Sequence, residues 1–301
     1  MQTAPAPSKS GTSKIITLGF KILITLVCFW YIATKIDFSQ ALEALLQANW
    51  ALFLLAVAAY TLSKVFSSFR LNINFRNIGL FIKEWPNIKL YWLGMFYNFF
   101  LPGSIGGDAY KVILLTKRFK TPYKKTTTAV LLDRFSGLLA LGVILSVYGI
   151  TVLNNPVWDA LLIGGSLVAI VTLYLAVRLI FKDFLPGFWP TFFWGLAVQL
   201  TQVAGLYLLL ASLHIPLEQQ EWIFIFLAAS IISVLPISLG GGLGTRELVF
   251  AEGARFFHLD PQTGVIISLL FYLSTLVSSI LGAYFVFHDP LKGADNLAPA
   301  A

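Results

Sequence analysis

The chain has 301 residues, of which 57% are apolar, 15% aromatic and only 12% charged, and its mean hydropathy is +0.80. A soluble domain carries about 25% charged residues, so composition excludes an ordinary water-soluble fold and predicts an all-α polytopic membrane protein. The net charge of +7 would suit nucleic acid in a soluble protein. Here the basic residues stand in short loops beside apolar runs, a pattern that sets orientation in the bilayer and attracts anionic lipid, and no nucleic-acid partner is expected.

Residues 1–14, rich in proline and serine, read as a disordered tail. The first apolar run, 15–34, follows Lys9 and Lys14 and ends in Phe29-Trp30-Tyr31-Ile32. Those side chains are too bulky for a signal-cleavage site, so the run is expected to stay as a membrane anchor. Its Cys28 is the single cysteine and excludes an internal disulfide or a Cys/His zinc site.

Further apolar runs cover 50–71, 127–153, 157–181, 189–213, 222–239 and 263–287. Each approaches the roughly 20 residues that a helix needs to cross a bilayer. A shorter piece, 88–101, ends in Pro102-Gly103-Ser104-Ile105-Gly106-Gly107, and the run 222–239 ends in Gly240-Gly241-Gly242-Leu243-Gly244. Non-helical backbone at membrane depth is tolerated only where protein or a wet cavity covers it, so each break implies a buried site.

The two breaks align: Leu101-Pro102-Gly103-Ser104-Ile105-Gly106-Gly107 matches Leu235-Pro236-Ile237-Ser238-Leu239-Gly240-Gly241 at an offset of 134 residues. Helix starts recur at nearly the same offset. Lys9 and Lys14 before the first helix, Arg70, Arg76, Lys83 and Lys89 after the second, and Lys111, Lys117, Arg118, Lys120, Lys124 and Lys125 after the first break all favour the cytoplasm. The segment 88–118 must then enter and return on one side as a re-entrant hairpin. An odd number of crossings per half inverts the second half, whose hairpin 222–258 should enter from outside near Glu218 and Glu221.

The expected plan is six spanning helices and two re-entrant broken-helix hairpins in an inverted repeat: a first repeat at 15–153, a second at 157–287, and a C-terminal tail at 288–301. Both termini are expected in the cytoplasm and the chain in the cell (inner) membrane. Inverted repeats with broken helices are the recurring plan of secondary transporters.

Ionisable residues inside apolar runs cost about 2.5–3.5 kcal/mol even on the lower scales, so they need partners or water. They are Lys64, Arg70, Asp108, Lys111, Asp133, Arg134, Arg246 and Glu247. Asp108 and Lys111 are spaced to share a helix face. Gly106, Gly107 and Gly244 stand where helices begin and leave N–H groups for an anion, with Ser104 and Ser238 in the breaks themselves.

Plainer roles compete with transport ones. Arg70, Lys111 and Arg134 suit snorkelling or topology, Asp133 suits a structural ion pair with another helix, and the aromatic stretch from Tyr91 to Phe100 suits interface packing. Gln199 and Gln202 suit either a cavity wall or a helix contact. His214 and His258 have no companion at metal spacing, so no metal or cofactor is expected. DxD, GxSxG, HExxH and P-loop signatures are missing, which leaves no catalytic residue to name.

Three strings carry a family resemblance: Leu101 through Lys111, Asp133-Arg134-Phe135-Ser136-Gly137, and Leu235-Pro236-Ile237-Ser238 followed by Gly242-Leu243-Gly244-Thr245-Arg246-Glu247, with Arg70 on the second helix. With them the chain resembles the flippase-like transmembrane family, the membrane region of lysylphosphatidylglycerol synthases, as a stand-alone member. It departs in having Lys111 where many members have Arg, Leu71 after Arg70 where many have Trp, and a longer glycine run. The synthase domain is missing, so lipid aminoacylation is not expected.

The resemblance implies ATP-independent movement of a phospholipid or polyprenyl-phosphate lipid between leaflets, with the membrane lipid as substrate. A homodimer or a separate lipid-modifying enzyme remains open as protein partner. The alternative is a membrane enzyme acting on a polyprenyl-linked sugar or lipid headgroup, with Asp108 and Glu247 as acid and base; a membrane scaffold is the third reading.

Overall fold

The computed structural model describes residues 46–100, 106–234 and 244–294, together with Trp30 and Glu43. The expected anchor at 15–34, Ser104, Ser238 and the glycines at 240–242 lie outside the described residues. Every regular element among the described residues is helical.

In chain order these are α1 (Trp50–Arg76), α2 (Glu84–Phe100), α3 (Gly106–Phe119), α4 (Tyr123–Leu153), α5 (Pro156–Ile180), a 3-10 turn (Lys182–Gly187), α6 (Phe188–Ser212), α7 (Glu221–Val234), α8 (Thr245–Phe256), α9 (Pro261–Ile280) and α10 (Tyr284–Phe287). Five stretches are long and apolar enough to cross a membrane: α1, α4, α5, the 3-10 turn with α6, and α9 with α10. The chain is an all-α polytopic membrane protein.

Local chemistry sets the helix ends. Asn49 accepts hydrogen bonds from the N–H groups of Ala51 and Leu52 to begin α1, and Asn155 accepts from Val157 with Pro156 at the first turn of α5. Asp260 caps α9 through Gln262 and Thr263, again with a proline in the first turn. α4 begins at Tyr123, four residues before the apolar run, because Lys124 and Lys125 extend the helix past its apolar part; Lys125 reaches Asp183 at 2.8 Å.

The packing repeats at the sequence offset. α1 lies along α6 in the most extensive helix contact, where Gly205 faces the Ala56–Ala59 side of α1. α2 pairs with α3 as α7 pairs with α8. α4 packs across onto α6 and α7, and α9 packs across onto α1 and α2, so each half lays its last long helix on the other half. α5 is peripheral, with Val177 its buried residue, and turns an apolar surface outward as a lipid-facing helix does.

The last run holds as one span, Pro261–Phe287, with a local turn at residues 281–283, where a Cβ on Gly282 would stand 2.1 Å from the carbonyl oxygen of Trp92. The start of the C-terminal tail packs on the bundle: Leu291 and Ala294 are buried in the cluster with Leu80, Val112 and Leu115, and Asp289 meets Arg118 at 3.3 Å.

Candidate functional site

The first hairpin is drawn tight by two glycines. A Cβ on Gly107 would lie 1.8 Å from the carbonyl oxygen of Gly94, so α3 crosses α2 backbone to backbone. Asn98 on α2 accepts the N–H of Gly107 at 2.8 Å. This close crossing carries Lys111 under α2, where its Nζ lies 4.3 Å from the centre of the Tyr91 ring and 3.0 Å from Asp108 Oδ1. Gly94 leaves the space that the Lys111 stem fills.

α4 brings the other members. Asp133 holds Arg70 of α1 by a two-pronged bond, 2.7 Å to Nε and 3.1 Å to Nη2, with both side chains buried. The guanidinium fits because Gly137 has no side chain; a Cβ there would stand 2.5 Å from Arg70 Nη1. One residue on, Arg134 donates to the second oxygen of Asp108. The competing roles thus divide: Arg70 and Asp133 are each other's structural partner, while Asp108, Lys111 and Arg134 form a separate trio.

The second hairpin is built differently. Gly244 adopts φ 84°, a conformation glycine takes without strain, and begins α8. Glu247, fully buried, turns back to accept the Gly244 N–H at 2.6 Å and the Ser268 hydroxyl at 3.1 Å. Arg246, its neighbour, points the other way and lays its guanidinium over the Phe271 ring at 4.9 Å. Side chains therefore engage an N–H at both helix starts, Asn98 at Gly107 and Glu247 at Gly244.

Arg70, Asp108, Lys111, Asp133 and Arg134 line one lobe of a polar cavity of about 260 Å³. Arg246 lines a second lobe of about 300 Å³ with Tyr60, Ser230 and Thr275. The lobes share Lys64, Tyr91, Asn98, Arg134, Gln199 and Gln202, so they form one continuous cavity between the halves. Gln199 and Gln202 both line the cavity, and Gln202 also donates to Ser63 of α1 at 3.3 Å.

A third space of about 290 Å³ opens between α3 and α4 and is walled by Val112, Tyr123, Val130, Leu131, Phe135 and Leu138. It is apolar, and it meets the polar cavity at Asp108 and Arg134. Tyr123, Leu131 and Phe135 are exposed, so this slot opens at an exposed, apolar face of α4.

Sequence reasoning left Lys64, Asn98 and Tyr60 out of the site. Lys64 stood out as an ionisable residue in an apolar run, and that signal was the one able to find it. Among the described residues no group of His, Cys, Asp and Glu is arranged to hold a metal ion.

The family described as Lysylphosphatidylglycerol synthase TM region matches residues 18–282. No curated protein and no solved structure matches the chain.

Proposed function

Because the chain belongs to the family of the lysylphosphatidylglycerol synthase TM region, a multi-pass membrane family with a lipid-related role, we propose that it moves a phospholipid or polyprenyl-phosphate lipid between leaflets without ATP. The observation that carries this reading is the junction of a charged cavity with an apolar, exposed slot at the Asp108–Arg134 pair. A water-soluble solute has no use for the slot; a lipid places its headgroup in the cavity and an acyl chain between α3 and α4. The proposal sets the protein in the inner membrane with both termini cytoplasmic, as the loop charges favour.

Movement without chemistry is favoured over a membrane enzyme by the state of the two carboxylates that would serve as acid and base. Asp108 has both oxygens engaged by Lys111 and Arg134, and Glu247 is turned into the cap of α8. Neither is presented to a substrate for proton transfer.

The test is reconstitution of the purified chain in liposomes carrying headgroup-labelled lipids. Leaflet exchange with no new lipid species is the expected result. A new lipid product would replace transport by catalysis, and absence of both would remove the reading.

A further inference from the structure

The cavity's charges are unequal. Its described lining contains the cations Lys64, Arg70, Lys111, Arg134 and Arg246 against the carboxylates Asp108 and Asp133. Counting the adjoining Glu247 still leaves the cations in excess among the described residues.

Each carboxylate on the lining is already committed: Asp133 to Arg70, and Asp108 to Lys111 and Arg134. A cationic headgroup also binds on aromatic faces. Those are taken too: Lys64 lies over Tyr60 at 4.4 Å, Lys111 over Tyr91 at 4.3 Å and Arg246 over Phe271 at 4.9 Å. An incoming ammonium would find neither an open carboxylate nor an uncovered ring among these groups, and would meet like charge.

Lys64 is the opposite case. It stands midway along α1, lines both lobes, and has no carboxylate at ion-pair distance among the described residues. An ammonium on a flexible stem at the junction of two lobes suits a phosphate that passes from one to the other.

We infer that this cavity accepts a lipid with a net negative phosphate headgroup, met by Lys64, and rejects a cationic aminoacyl headgroup. The inference rests on reading the cavity as a headgroup site. It narrows the substrate away from the aminoacylated lipid that the family's name suggests, and toward the unmodified anionic lipid.

The experiment is competition binding to the purified full chain in mild detergent, read by native mass spectrometry, so that it does not depend on transport. The probes share acyl chains: phosphatidylglycerol, lysyl-phosphatidylglycerol, whose two ammonium groups outweigh its phosphate, and uncharged diacylglycerol. Wild type should retain phosphatidylglycerol over both others by at least about tenfold, the scale of one charge-assisted hydrogen bond. Lys64→Gln should lose that preference and Lys64→Arg should keep it. Lysyl-phosphatidylglycerol bound as well as phosphatidylglycerol, or a preference unchanged in a folded Lys64→Gln protein, would overturn the inference. So would equal displacement by water-soluble glycerol phosphate, which would make this a free-phosphate site. Selective binding without leaflet exchange would leave the inference standing and remove transport.

Discussion

Lys111 of α3 and Arg134 of α4 share a single carboxylate, that of Asp108, with one cation on each oxygen. Asp108 and Arg134 stand where the polar cavity meets the apolar slot, whereas Arg70 and Asp133 form a closed pair with matched charges. Asp133→Asn should therefore destabilise the protein by about 3–5 kcal/mol, since it leaves a buried guanidinium without its acid. Asp108→Asn takes the carboxylate from both buried Lys111 and half-buried Arg134 and should cost about as much, about 3–5 kcal/mol, while also slowing leaflet exchange and strengthening retention of anionic lipid. Melting in detergent beside exchange rate and lipid retention checks both; unchanged anionic-lipid retention in Asp108→Asn would leave Asp108 a structural residue only.

Backbone contact at Gly107 gives a second expectation. Gly107→Val forces α3 off α2, because even the Cβ overlaps the Gly94 carbonyl, and overpacking of this kind costs about 1–3 kcal/mol or more. Gly142→Val in α4 meets nothing within 4 Å and should leave melting near wild type. A normal melting temperature and exchange rate for Gly107→Val would show that the hairpin opens without cost.

Arg246 and Glu247 are adjacent but should behave differently. Glu247→Gln keeps an oxygen for the Gly244 N–H and loses the charge at the helix start, so stability should fall by about 0.3–1 kcal/mol. Arg246→Lys keeps the charge and loses the planar fork over Phe271, so exchange should fall with melting unchanged. Loss of melting temperature in step with activity for Arg246→Lys would place it among the structural residues.

Orientation is checked with single cysteines on a Cys28→Ala background. Lys124, Lys182 and Glu218 are exposed and suit labelling. Cysteines at Lys124 and Lys182 should react with an impermeant reagent only from the cytoplasmic side, and one at Glu218 only from the outer side. Labelling of Lys182 and Glu218 from one side would break the inverted arrangement.

Ionisable residues in apolar runs were readable from the sequence because charge is anomalous there, and of the eight singled out all line the cavity except Glu247, which adjoins it. The partner of each was not readable. Asp133 and Arg134 are neighbours in sequence yet turn to different helices, and the choice of Arg70 for one and Asp108 for the other depends on helix crossing at Gly94, Gly107 and Gly137. Lys64 is marked in the sequence only by its charge inside an apolar run; its position at the meeting of two lobes was not readable there. Leu291 and Ala294 were missed for a different reason. Two apolar residues, one large and one small, among Pro290, Lys292, Gly293 and Asp295 show no periodicity, and their burial comes from a surface that other helices supply.

The crossed packing of α4 onto α6 and α7, and of α9 onto α1 and α2, bears on whether half the chain could stand alone. A polypeptide of half this length would expose the flank of its own hairpin and the inner side of its last long helix, and the surfaces able to cover them belong to the other half. In one chain the two halves meet without a concentration-dependent assembly step, and each can carry its own set of charges, as the trio on one side and Arg246 with Glu247 on the other do.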